Sequence, residues 1–113
     1  RADPQLPRAL AAAAAAGVET VVLGEKAEAA PGHVAISTMH LAKGLEFRAV
    51  AVMACDDEVI PSQERIEAVA DDSDLDEVYD TERHLLYVAC TRPRDRLLVT
   101  GMHPVSEFLA DFG

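Results

Sequence analysis

The segment from Ile36 to Phe47, I-S-T-M-H-L-A-K-G-L-E-F, brings several chemically active groups together between two short apolar runs. It holds two hydroxyls, an imidazole, an ammonium, a glycine and a carboxylate. Hydroxyl and imidazole groups can donate hydrogen bonds to phosphate oxygens, whereas a carboxylate can only accept them. Because open α/β sheets bind ligands beyond strand ends, this segment is a candidate site. A solvated turn in which Gly44 supplies a positive φ is the alternative that the residue types leave open.

A second candidate is the arginine cluster around Arg92 and Arg94, which follows a predicted helix and precedes a predicted strand. A guanidinium is always charged and can bond two phosphate oxygens at once. An arginine at a helix end more often only complements the helix dipole. Residue type alone therefore does not decide between a phosphate site and a structural role.

Elements that alternate between helix and strand must position both segments, and this alternation predicts an α/β fold with a parallel sheet. Pro7 and Gly17 bound an alanine-rich helix, and Thr81 is expected to cap a later one. The run from 48 to 54 is small and apolar, which is typical of a strand covered on both faces. Helices are predicted at 6–16, 63–70, 81–90 and 105–112, and strands at 18–23, 33–37, 48–54 and 96–100.

The chain has 113 residues, which predicts a single domain over 1–113. Half of its residues are hydrophobic, and its formal net charge is −10. Such a charge argues against an extensive nucleic-acid surface. The acids are concentrated between Asp71 and Glu82, however, as in a solvated loop or helix face, so the net charge weighs little against local motifs.

The two cysteines, Cys55 and Cys90, lie in apolar surroundings without the spacing of a metal site, which predicts buried reduced thiols and a cytoplasmic protein. No metal site is expected. No segment approaches the roughly 18 apolar residues of a membrane span. The first residue is Arg1 rather than Met, so we expect the sequence to be a piece of a longer protein.

The order of residues in T-M-H-L-A-K-G-L-E-F, from Thr38 to Phe47, closely resembles motif V of the UvrD/Rep-like superfamily 1 DNA helicases. The resemblance implies that Thr38 and His40 contact the phosphates of single-stranded DNA, with Lys43 attracting phosphate. It also implies that Gly44 allows close backbone approach and that Glu46 accepts a hydrogen bond from the ribose of ATP.

The segment E-R-H-L-L-Y-V-A-C-T-R-P-R-D, from Glu82 to Asp95, resembles motif VI of the same family. Arg92 falls on the arginine that in the family reaches the γ-phosphate of ATP, as an arginine finger does. The family commonly has Arg where His84 stands and Ala where Pro93 stands. Pro93 disfavours helix at Arg92 and so affects the angle of that side chain.

The acidic segment D-D-E-V-I-P, from Asp56 to Pro61, resembles the family's E-E-G-x-x-P turn. The sequence has no G-x-x-x-x-G-K-[ST] phosphate loop and no D-E-x-Q pair. In the family, these and the Mg²⁺ ligands belong to a first motor domain. The resemblance therefore implies a RecA-like second motor domain that shares an ATP site with another domain and is inactive alone.

The family resemblance predicts part of an ATP-dependent DNA helicase, with single-stranded DNA or DNA junctions as partners and translocation from 3′ to 5′. Two alternatives remain open: a non-catalytic helicase-like regulatory or protein-binding module, and the motor of a nuclease-helicase fusion. The biological pathway is also left open, with repair, replication restart, recombination and defence all compatible.

Overall fold

The computed structural model describes residues 1–24, 32–41 and 45–112. A short 3-10 turn at Asp3–Gln5 leads into helix α1 (Leu6–Ala15). Strands β1 (Thr20–Val22), β2 (Val34–Ile36) and β3 (Phe47–Val52) follow. The chain continues through α2 (Gln63–Glu67), α3 (Asp72–Cys90), β4 (Pro93–Val99) and a 3-10 helix at Glu107–Phe112. The predicted mixture of helices and strands is confirmed.

Within the described residues the strands form two separate two-stranded parallel sheets, β1 with β2 and β3 with β4. Val21 pairs with Ala35 in the first sheet, and Val50 pairs with Leu97 in the second. Parallel pairing was predicted, and it is confirmed for both pairs. A single continuous sheet is not what these residues form.

The expectation that β3 is covered on both faces is wrong for the described residues. Arg48, Ala49 and Ala51 are exposed in that strand. Leu97 and Leu98 of β4 are 40% and 60% exposed, although consecutive strand residues point to opposite faces. A two-stranded sheet offers little area for helices to cover, which is why apolar composition alone misjudged the burial.

Helix α3 begins nine residues before the predicted start, because its cap is Asp71 and not Thr81. The Asp71 side chain accepts a hydrogen bond from the backbone N–H of Asp74 at 2.9 Å. Acidic residues in the first turn are favourable at the positive end of the helix dipole. Thr81 lies inside the helix, where its hydroxyl donates to the carbonyl of Val78.

The two last elements also differ in detail from the prediction. Strand β4 starts at Pro93, three residues earlier than expected, directly after α3 has ended at Cys90. The terminal helix is of the 3-10 type, and Val105 before it forms an isolated bridge with Asp56. Gly101 lies so close to the Cys55 carbonyl that an added Cβ would come within 2.4 Å of its oxygen.

The core lies where α3, β3 and the C-terminal 3-10 helix meet. Within the described residues, Phe108 is the one aromatic residue of the buried cluster, which agrees with a chain that has few aromatic residues. The predicted burial of the thiols is confirmed for Cys55, and Cys90 is partly buried; neither forms a disulfide. Burial raises the pKa of Cys55 to about 11. The buried cluster consists of Met39, Val52, Cys55, Ile60, Leu86, Ala89 and Phe108.

The segment from Asp56 to Pro61 forms the turn that its resemblance implies. Glu58 adopts a φ of +70° at the position where the family pattern has glycine. A positive φ is strained for a residue with a side chain and unstrained for glycine. Among the described residues, no helix is long and apolar enough to cross a membrane.

Candidate functional site

The loop that follows β2 is shaped by its two hydroxyl residues. Thr38 is only 8% exposed, and its Oγ1 accepts a hydrogen bond from the backbone N–H of Leu41 at 3.4 Å. The hydroxyl of Ser37 donates to the carbonyl of Thr38 at 2.8 Å. A hydroxyl that accepts from the backbone three residues on holds a turn in place. Thr38 therefore fixes the loop that carries His40.

His40 is exposed on that loop. It lines a cavity of about 260 Å³ whose other walls include Arg65 of α2 and His84 of α3. The three side chains come from segments far apart in the sequence. The structure thus places the predicted DNA-contact residue beside two further groups that can donate hydrogen bonds.

Of the remaining predicted site residues in this loop, Lys43 and Gly44 lie outside the described residues. Glu46 is exposed and directly precedes β3, which begins at Phe47. Its carboxylate is therefore carried at the entrance of a strand, as the sequence predicted.

Arg92 connects the end of α3 to the segment that carries Glu46. Its Nε donates to the Val88 carbonyl at 3.1 Å, and one terminal nitrogen donates to the Leu45 carbonyl at 3.3 Å. The other terminal nitrogen donates to the hydroxyl of Thr91 at 3.1 Å. The guanidinium is thus held between the two segments that the sequence singled out.

A backbone hydrogen bond also joins the end of α3 to the segment that carries Glu46. The N–H of Phe47 donates to the carbonyl of Arg92 at 3.0 Å, and Phe47 pairs with Pro93 where β3 and β4 begin. The residue after Glu46 and the residue after Arg92 are therefore strand partners. Glu46 and Arg92 lie at the same end of this sheet.

A larger cavity of about 660 Å³ lies between α1, β2 and β3. Its walls are mainly apolar, and Thr38 and Arg92 both lie in its lining. Among the described residues, no group of three or more His, Cys, Asp or Glu side chains is arranged to hold a metal ion.

A buried carboxylate, Glu82, lies next to the His40 cavity and was not recognised from the sequence as more than part of a motif. It is 1% exposed and accepts hydrogen bonds from Arg1, Arg65 and the backbone N–H of Ser62 at 2.7 to 2.9 Å. Burial acts to raise the pKa of Glu82, but these hydrogen bonds outweigh it and lower the pKa.

A sequence signal for Glu82 did exist. The buried residues of α3 are Val78, Glu82, Leu86 and Ala89, so the glutamate sits on the apolar stripe at helical spacing. A buried carboxylate needs cationic partners or several donors. Neither of its arginine partners is close in sequence, so the pattern alone does not identify them.

A second unpredicted ion pair joins α1 to the turn after β3. Both terminal nitrogens of Arg8 bond the carboxylate of Asp56, which also accepts from the backbone N–H of Met102 at 2.7 Å. The hydrogen bond from Arg8 is the main cause that lowers the pKa of Asp56. This carboxylate ties three separate segments together.

The fold and the two linked motifs match a known protein family. The family model of the UvrD-like helicase C-terminal domain matches residues 18–103. That range covers most of the chain and contains both motifs. The chain belongs to the UvrD-like helicase C-terminal domain family.

Individual relatives agree with this assignment. The ATP-dependent DNA helicase PcrA of Staphylococcus epidermidis is 39% identical over 68 residues, which is 60% of this chain and 9% of that protein. The DNA helicase II of Rickettsia typhi is 38% identical over 69 residues, which is 61% of this chain and 10% of that protein. The chain thus spans about a tenth of the length of these relatives.

A solved structure shows the same fold. The C-terminal domain of a possible DNA helicase from Lactobacillus plantarum superimposes with a TM-score of 0.64 at 27% sequence identity. The match covers 95% of this chain and 55% of that one. The described fold is therefore that of part of a helicase C-terminal domain.

Proposed function

We propose that this chain is the C-terminal part of the second, RecA-like motor domain of an ATP-dependent DNA helicase. In this proposal it contributes half of an ATP site and part of the track for single-stranded DNA. The observation that carries the proposal is the hydrogen bond from the Arg92 guanidinium to the Leu45 carbonyl. It supports the proposal because it brings Arg92, the proposed γ-phosphate arginine, next to the loop of Glu46, the proposed ribose acceptor, at the end of the sheet where β3 and β4 begin.

The ATP half of the proposal assigns Arg92 to the γ-phosphate, Glu46 to the ribose and Gly44 to close approach of the backbone. Arg92 is held by two carbonyls and one hydroxyl, all of them neutral acceptors. Hydrogen bonds between charged partners are stronger than bonds from a cation to neutral groups. A phosphate that enters the cleft can therefore displace them. The first motor domain would supply the phosphate loop and the Mg²⁺ ligands.

The DNA half of the proposal assigns His40 and Lys43 to backbone phosphates, with Thr38 in the same contact region. The exposure of His40 supports its role. Because Thr38 is buried and bonded to Leu41, its main contribution is to hold the loop in a shape that presents His40. Few contacts are needed from this chain, since the first motor domain carries the rest of the track, and an acidic net charge is then tolerable.

The proposed ATP contacts and DNA contacts lie on one short loop, which allows ATP binding to be coupled to DNA binding. Closure on ATP draws Arg92 toward the γ-phosphate, where it stabilises charge that develops during hydrolysis. The backbone hydrogen bond from the Phe47 N–H to the Arg92 carbonyl does not involve the guanidinium, so it can transmit this movement to the loop, and His40 moves with it. Translocation from 3′ to 5′ and a cytoplasmic location belong to the same proposal.

The proposal is tested with the full-length wild-type protein. ATP hydrolysis is measured with and without single-stranded DNA, and unwinding is compared on duplexes with a 3′ or a 5′ single-stranded tail. We expect hydrolysis that DNA stimulates and unwinding that needs the 3′ tail. A full-length protein that hydrolyses no ATP on any DNA contradicts the proposal and favours a regulatory module. Unwinding only from the 5′ tail contradicts the polarity alone.

A further inference from the structure

Helix α3 carries an exposed aromatic pair next to the His40 cavity. His84 and Tyr87 are three residues apart, and their rings are stacked with centroids 6.3 Å apart and an interplanar angle of 27°. Tyr87 is 64% exposed, the largest value among the exposed large hydrophobic side chains of the described residues. A stacked pair with one open face is a platform on which a further planar group can stack.

The cavity beside this pair borders a cluster of two arginines and one carboxylate. His84 lines it together with His40 and Arg65, and the buried carboxylate in its wall is Glu82. Two guanidinium groups, Arg1 and Arg65, bond that single carboxylate. One positive charge is therefore left over, and Arg65 is 43% exposed toward solvent. An anion at this place meets an excess of positive charge and several hydrogen-bond donors.

The acidic side chains of α3 are concentrated in one half of the helix. The exposed acids Asp72, Asp74, Asp76, Glu77 and Asp80 occupy its first half, whereas His84 and Tyr87 lie in its second half. A polyanion that passes His40 is repelled from the first half of the helix and is accommodated along the second. Arg65 and His84 line the same cavity as His40, and Tyr87 stacks on His84, so these residues define a surface beside the loop of His40.

We propose that Arg65, His84 and Tyr87 extend the single-stranded DNA track beyond His40, with a backbone phosphate in the 260 Å³ cavity and a base stacked on Tyr87. The inference rests on the proposed function and adds a contact surface to it. Proteins that hold single strands combine positive grooves with aromatic side chains on which bases stack, irrespective of sequence. The cavity and the aromatic pair supply one example of each.

The stacking contact is tested by fluorescence anisotropy with the nucleotide-free full-length protein and a short dT oligonucleotide. An oligonucleotide of the same length with abasic sites is the second probe. Tyr87→Ala should weaken binding of the dT strand about tenfold and should leave binding of the abasic strand nearly unchanged. Tyr87→Phe keeps the ring and should stay within about twofold of wild type. Met102→Ala, which truncates another exposed apolar side chain on β4's C-terminal side, is the matched control.

The phosphate contact is tested by the salt dependence of DNA binding. Arg65→Gln should reduce the slope of log K against log salt concentration by about 0.7, the value for one phosphate contact on a single strand. Arg65→Lys keeps the charge and should keep the slope, which separates charge from any effect on packing. His84→Ala should weaken binding, and His103→Ala should not.

The outcomes separate this inference from the proposed function. A wild-type protein that binds DNA and hydrolyses ATP, with a Tyr87→Ala affinity within twofold of wild type, overturns the inference alone. The same variant with normal DNA affinity and reduced ATP turnover also overturns it, because Tyr87 then packs against another protein surface. A wild-type protein without DNA binding contradicts the proposed function itself.

Discussion

The guanidinium of Arg92 donates a hydrogen bond to the carbonyl of Leu45 at 3.3 Å, across 47 positions of the sequence. This bond joins the end of α3 to the residue before Glu46. The strand partners Phe47 and Pro93 repeat the junction in the backbone. Two motifs that the sequence shows as separate segments therefore form one structural unit.

The position of Glu46 predicts a selective effect on nucleotide binding. Glu46→Ala in the full-length protein should raise the KM for ATP by about tenfold, with a smaller change in kcat, because one charged acceptor for a ribose hydroxyl is lost. Glu64→Ala, which removes an exposed glutamate from α2, is the control. An unchanged KM would remove Glu46 from the proposed site.

The Glu82 network predicts a large loss of stability. Glu82→Gln removes the charge that Arg1 and Arg65 share and should lower the free energy of unfolding by about 2 to 4 kcal/mol. Loss of a fully buried ion pair would have a larger effect, but Arg65 is partly exposed. Faster hydrogen exchange in α2 and α3, followed by mass spectrometry, reports this change locally. The exposed residue Glu77 on the same helix provides the control: Glu77→Gln should change protection by less than about 0.5 kcal/mol. Equal protection in both variants would contradict the role of the network.

The same carboxylates predict acid sensitivity. The hydrogen bond from Arg8 lowers the pKa of Asp56 in the folded protein, and hydrogen bonds outweigh burial to lower the pKa of Glu82. The unfolded state therefore binds protons more readily, so this stability is present above about pH 4 to 5 and is lost as the pH falls through the lowered values. Thermal unfolding of wild type at decreasing pH measures the loss. The Asp56→Asn variant should be less stable than wild type near neutral pH, and its melting temperature should fall less steeply as the pH decreases. An equally steep fall in the variant would contradict this prediction.

The turn after β3 predicts a stabilising substitution. Glu58 has a φ of +70°, so Glu58→Gly should relieve backbone strain of about 1 kcal/mol, partly offset by the greater freedom of glycine in the unfolded chain. We expect a small net gain in the melting temperature. Glu67→Gly, at a helical position with negative φ, should lower it instead. A lower melting temperature for Glu58→Gly would contradict the interpretation of the turn.

Much of the fold could be predicted because it depends on local patterns. The bounds of α1 follow from Pro7 and the positive φ of Gly17, and each of the predicted strands overlaps an observed strand. The start of α3 could not be predicted in the same way. Both Asp71 and Thr81 are suitable caps, and burial of Val78 is a tertiary effect that extends the helix through an acidic segment.

Some features of the candidate site could likewise be predicted from the sequence, and others could not. The order of residues in the two motifs indicated that Glu46 and Arg92 belong to one site, and the Arg92 to Leu45 bond supports their proximity. The burial of Thr38 could not be predicted from its residue type, because a hydroxyl can either hydrogen-bond nearby backbone in a turn or bind a ligand. Arg1, one of the two arginine partners of Glu82, lies 81 residues away in the sequence, and Arg8, the partner of Asp56, lies 48 residues away, so only the fold reveals these pairs.

The central claim is that Arg92 completes an ATP site with another motor domain, and steady-state ATP hydrolysis of the full-length protein at saturating DNA tests it most directly. Arg92→Ala should lower kcat by about a thousandfold or more, while the affinity for single-stranded DNA stays within a few-fold of wild type. Arg94→Ala, two residues along the same chain, should retain near-normal turnover. Normal turnover in Arg92→Ala, or an equal loss in both variants, would contradict the assignment of Arg92 to the γ-phosphate.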